Sequence, residues 1–190
     1  MKNTMIPMAF VVVVAAVRTG LAAEPIADFQ EFVDEIGIWT AEIELDLDNE
    51  VLGKKGTRVK LVKTVEWGPG KKFVFQRVTQ HADGKKVDGA WTLTGIDPAT
   101  KGVVTHWFGA GGGYSMAGSW YRHPENKQKR ILQFAGWAAG DGARLATGRF
   151  VVEVEDARTS ISQYVDVLVG GELYRPAHKA VTWTRAEKSK

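Results

Sequence analysis

His81, His106, His123 and His178 are the side chains best suited to binding a metal or moving protons near neutral pH. They are far apart in the chain, and none forms a His-x-His or His-x-x-x-His pair. A zinc site needs three or four ligands converging at about 2 Å, each oriented by a further hydrogen bond, so this spacing points away from a metal centre. One axial imidazole suffices for haem, and His178 is the position that would have to supply it. Pro176 and Lys179 flank it, which reads as a solvated loop, so no cofactor is expected and haem is the minor alternative. Asp46 and Asp48 share a face of a strand end, where two carboxylates can split their pKa values into acid and base. Asn49-Glu50 follows at once, and the group reads more simply as a hairpin end in water. The run Gly109-Ala110-Gly111-Gly112-Gly113 joins two strands and lacks the following helix that a phosphate cradle requires. No Gly-x-Ser-x-Gly elbow, Walker loop or dinucleotide fingerprint is present. The absence of cysteine excludes disulfides, thiol catalysis and thiolate metal sites.

Aromatic residues carry the stronger signal. There are seven tryptophans in 190 residues, and each can bury about 150–250 Å² of mostly apolar surface. Trp39, Trp91 and Trp183 are expected to pack near a closed end of the molecule. Trp107, Tyr114, Trp120 and Tyr164 alternate with small or polar residues and are expected to line a cavity. With strand parity, Arg77, His106, Gln133 and Gln163 point in beside them as polar anchors. Apolar walls with a few polar anchors are what a small-molecule pocket needs. A filled core of packed tryptophans is the other reading of the same residues.

Strands must position these side chains. Before them, Ile26, Phe29, Phe32, Val33 and Ile36 fall on one helical stripe, with Asp28 and Glu31 near its start and Gly37 as a stop. This predicts a capping helix of about three turns over 26–36. Strand-like runs follow at 39–47, 57–67, 72–81, 86–96, 102–109, 113–121, 127–137, 143–154, 159–168 and 179–185. Turn-forming pairs such as Asp83-Gly84 and Asp97-Pro98 separate them. Ten strands with short connections predict an antiparallel meander, and the lack of further helices excludes βαβ units. Alternation is imperfect. Val59, Leu61, Val65 and Trp67 share a face broken by Lys63, and Ile131, Gln133, Ala135 and Trp137 share another. A closed barrel with a cavity tolerates such inward polar residues better than a sandwich core does. Gly37-Ile38-Trp39 opens the first strand and Trp183-Thr184-Arg185 ends the last. The Arg185 guanidinium is expected to stack on Trp39, bringing the chain ends together and closing the barrel.

The helical lead-in, the Gly-x-Trp entry, the run of hairpins and the terminal Arg together resemble the calycin superfamily of lipocalin-like and fatty-acid-binding-like barrels. Asp83-Gly84-Lys85-Lys86-Val87-Asp88-Gly89, then Thr94-Gly95-Ile96-Asp97-Pro98-Ala99-Thr100-Lys101, is similar to a segment of an uncharacterised bacterial calycin-like family, the domain of unknown function numbered 1579. Ile96 departs from that pattern, which commonly has an aromatic there. The resemblance spans most of 29–185 and implies a barrel, with no settled activity.

Residues 1–23 read as a secretory leader: Lys2, an apolar run from Met5 to Val17, and small residues up to Ala23. That run is short of the roughly 20 residues of a spanning helix. The leader holds Lys2 and Arg18 and no acidic residue, so the formal charge of +3 falls to about +1 without it. No basic face suggests nucleic acid. The expectation is therefore an exported, periplasmic or extracellular, all-β protein: one barrel domain over 24–190 with no stable membrane insertion. It is expected to bind a small hydrophobic or amphipathic ligand non-covalently. A cofactor-free enzyme working inside the barrel and a ligand-free structural protein of the envelope are the alternatives.

Overall fold

The structure, a computed structural model, describes residues 24–46, 48–109, 114–138, 143–174 and 179–187. The leader over 1–23, the glycines at 111–113 and His178 lie outside the described residues. Alternating side chains and tight turns produce β1 (Gly37–Glu44), β2 (Arg58–Trp67), β3 (Phe73–Ala82), β4 (Lys85–Ile96) and β5 (Val103–Gly109). They continue as β6 (Tyr114–Arg122), β7 (Lys129–Ala138), β8 (Arg144–Val154), β9 (Thr159–Val169), β10 (Glu172–Leu173) and β11 (Val181–Arg185). The ten expected strands are all present, and β10 is an additional two-residue strand.

Each strand from β1 to β9 pairs antiparallel with the next, and β11 lies between β9 and β1, so the sheet closes into a barrel. The tenth position is split along its length. Thr159–Ser162 of β9 pair with β11, while Leu168 and Val169 pair with β10 across the Gly170-Gly171 turn. Closure rests on Trp39↔Arg185 and Thr40↔Thr184. Arg185 covers the Trp39 ring at 4.8 Å from its centroid, as expected from the two sequence ends.

The N-terminal cap is shorter than its apolar period predicts. Only α1 (Gln30–Val33) is helical, and it is followed by a turn. Residues 24–26 take extended backbone partners instead: Arg122 N–H donates to Glu24, Ile26 N–H to Trp120, and Val103 N–H to Ile26. They continue the edge of β6 below the point where β5 begins, and Pro25 has no N–H to give a helix. Ile26 and Phe32 are still buried, so the stripe seals one end of the barrel by a different backbone route.

Two glycines allow the tight approach of β6 and β7. A Cβ at Gly118 would lie 2.1 Å from the Gln133 carbonyl oxygen, and one at Gly136 would lie 2.1 Å from that of Ser115. Side chains at both positions are excluded by backbone, so both positions require glycine. Inside, two apolar clusters face each other. One includes Trp39, Leu61, Val65, Val74 and Trp183; the other includes Phe32, Trp107, Trp120, Leu132, Phe134 and Val152.

Candidate functional site

Between these clusters lies a cavity of about 1150 Å³, lined from Phe32 and Glu35 at the capped end to Arg144, Leu173, Tyr174 and Lys179 at the other. Strand alternation builds its walls. On β5, Thr105 and Trp107 turn inward; on β7, Leu132 and Phe134; on β8, Phe150 and Val152; on β9, Ser160, Ser162 and Tyr164. Trp107 stacks near-parallel on Tyr164 at 5.6 Å and meets Phe150 edge-on at 5.1 Å, and Phe150 lies 4.8 Å from Tyr164. The rest of the lining mixes aliphatic Leu61, Val65, Val74, Val78 and Val181 with polar Gln76, Gln80 and Thr92.

Of the residues named from sequence, Trp107, Tyr114, Trp120 and Tyr164 all line this cavity. Burial pushes the Tyr114 and Tyr164 phenols up, and Tyr114 adds to the effect on Tyr164, so both stay neutral and act through O–H. Trp120 donates Nε1–H to the Thr105 hydroxyl at 2.8 Å, and Thr105 in turn lies 2.7 Å from the Thr94 hydroxyl. That chain satisfies three polar groups inside the wall.

Three expected anchors face the other way. His106 and Gln133 are exposed, because Trp107 and Phe134 occupy the inward parity of β5 and β7. Arg77 stands outside between inward Gln76 and Val78, and its Nη2 pairs with Asp88 at 2.6 Å. Trp91 also departs from expectation: it is 45 % exposed on the outer surface, edge-on to Phe75, not packed at the closed end. Gln163 lies along the lining and is exposed. Trp39 and Trp183 are buried as expected. Among the described residues no group of three His, Asp or Glu side chains is placed to hold a metal ion.

The charged floor of the cavity was not singled out from sequence. Arg130, 2 % exposed, pairs with Glu35, donates Nη1–H to the Glu31 carbonyl at 3.1 Å, and covers the Phe32 ring at 4.7 Å. Trp39 donates Nε1–H to the Glu35 carbonyl at 2.8 Å, and Arg185 donates to the Asp34 and Ile36 carbonyls. Cations and an indole thus take up the carbonyls left open after α1, where a helix end has no internal partner. Arg122 pairs with Glu31 beside them. Lys63, 6 % exposed, lies inward on β2 with its Nζ 3.8 Å from Glu35 Oε2. The same ammonium sits 5.0 Å from the Trp39 ring and 4.9 Å from the Trp183 ring. Burial opposes ionisation of Glu35, but Arg130, Lys63 and Arg185 outweigh it and hold its carboxyl below the ordinary value. Burial lowers Lys63, Glu35 opposes that shift, and Arg130 and Arg185 reinforce it.

The signals for this floor were present but divided. Lys63 interrupts an otherwise apolar strand face. Arg130 was hidden because both faces of β7 carry apolar residues, Leu132 and Phe134 inside and Ile131 and Trp137 outside. Compared with family models, with curated proteins and with solved structures, the chain matches none.

Proposed function

We propose that this barrel binds one small hydrophobic or amphipathic molecule non-covalently in its cavity. The observation that carries the reading is the 1150 Å³ space bounded by an aromatic cluster and by strands that supply aliphatic and polar side chains. A packed barrel of this size would fill that space with side chains. Burying the ligand's apolar surface supplies about 25 cal/mol per Å² before the costs of association. Export is part of the same proposal and is supported by the charged start, apolar run and small residues of 1–23. Kinship with the calycin-like family is likewise proposed, on the order of its sequence motifs.

Thermal unfolding of the full-length protein with a panel of apolar ring and chain compounds tests the reading. A cavity ligand at 100 times its Kd adds about 2.7 kcal/mol, which for a chain of this size raises Tm by about 5–11 °C. Saturable stabilisation at one molecule per chain supports the proposal. No stabilisation by any compound, with a bare protein in native mass spectrometry, rejects it.

A further inference from the structure

We infer that Lys63 is the anchor for an anionic head, so that the cavity takes an amphipathic organic acid, its apolar body against the Trp107–Phe150–Tyr164 wall. This rests on the cavity-binding reading above and names the chemical class it selects. Four cations and two carboxylates meet at the capped end: Arg122, Arg130, Arg185 and Lys63 against Glu31 and Glu35. Arg122 takes Glu31, Arg130 takes Glu35, and Arg185 is held by two main-chain carbonyls. Lys63 is left over. Its 3.8 Å approach to Glu35 is outside hydrogen-bond reach, and among the described residues its Nζ has no hydrogen-bond acceptor.

Among the described residues the fully closed-off donors without a partner are Arg130 Nε and Arg185 Nε. The Lys63 ammonium, 6 % exposed and with three donors, calls for an acceptor on the side where it meets the cavity. The two indole faces stabilise the charge but accept no N–H···O bond. Lys63 also lines the cavity, together with the Ser160 and Ser162 hydroxyls. A sulfonate or carboxylate there would accept from Nζ in a charge-assisted bond and neutralise the surplus positive charge. Its low-dielectric surroundings would make that bond stronger than on the surface.

A matched pair of fluorescent probes tests this in the full-length protein. 8-Anilino-1-naphthalenesulfonate and N-phenyl-1-naphthylamine share a ring system and differ by one permanently charged sulfonate. The readout is the ratio of their Kd values in wild type and in Lys63→Met, with far-UV circular dichroism confirming the fold. The expected result is a loss of preference for the sulfonate of about tenfold or more in the variant, the size of a hydrogen bond to a charged group. In wild type, sulfonate affinity should also fall as pH rises, with onset below the ordinary lysine value of 10.5. That arm needs no variant, and the groups facing Nζ there are Glu35, Arg130 and Arg185. A ratio unchanged in Lys63→Met, or a pH-independent sulfonate affinity, overturns the assignment while leaving cavity binding intact. If neither probe binds wild type, the cavity reading itself fails and this inference with it.

Discussion

Replacing Arg130 by methionine removes the centre of the charged cap while keeping a long, flexible side chain in its place. The guanidinium is 2 % exposed and holds Glu35, the Glu31 carbonyl and the Phe32 ring at once. Removing one partner of a buried ion pair costs about 3–5 kcal/mol, because the other charge stays buried. Lys63 remains 3.8 Å from Glu35 and softens that loss, so the lower end, about 3 kcal/mol, is expected. At about 2–4 °C per kcal/mol for a chain of this length, Tm should fall by about 6–12 °C. Urea unfolding at neutral pH, followed by tryptophan fluorescence, gives the free energy. Adding Glu35→Gln to Arg130→Met should recover part of the loss, with a coupling of about 0.5–3 kcal/mol. A single variant within 2 °C of wild type would refute the claim that this pair holds the cap.

Other outcomes follow from the same contacts. Trp39→Ala should lower stability by about 3–5 kcal/mol through lost packing, and Arg185→Ala by less, since it loses a ring contact and two carbonyl bonds; unchanged melting in both would show the seam is held elsewhere. Gly136→Ala should unfold at clearly lower urea than wild type, because its Cβ would meet the Ser115 oxygen at 2.1 Å. Glu35 is held below its ordinary value of 4.5, so its contribution is present above that pH and disappears as pH falls through the lowered folded value. Acid unfolding curves should therefore be shallower in Glu35→Gln than in wild type over that window. His106→Ala and Gln133→Ala, on the outer surface, should leave probe affinity within about twofold, a difference of less than 0.5 kcal/mol.

The barrel could be read from the sequence because its signals are local. Hairpin turns such as Asp83-Gly84 and the regular spacing of apolar runs place ten of the eleven strands within a few residues, missing only the two-residue β10, and Trp39 with Arg185 marks where the sheet closes. Parity was harder. On β5 and β7 both faces carry large apolar residues, because Phe108 and Trp137 stand outside opposite inward Trp107 and Phe134. A period of two then loses its contrast, and His106 and Gln133 fall on the wrong face. The capping helix was legible in place but not in length: Ile26, Phe29 and Phe32 keep a helical period, yet only Gln30–Val33 are helical and residues 24–26 find strand partners on β6 that only the folded barrel supplies. Lys63 and Arg130 come from strands far apart in sequence and meet only through Glu35, so no local spacing brings them together.

An equilibrium titration with N-phenyl-1-naphthylamine, comparing wild type with Val78→Trp, tests the central claim most directly. Val78 lines the cavity on β3, and an indole there takes up space a ligand would need. Saturable binding at one probe per wild-type chain is expected, weakened at least tenfold in a variant that still unfolds cooperatively. Binding that does not saturate, or that the tryptophan leaves unchanged, would mean that the cavity is not where this protein takes its ligand.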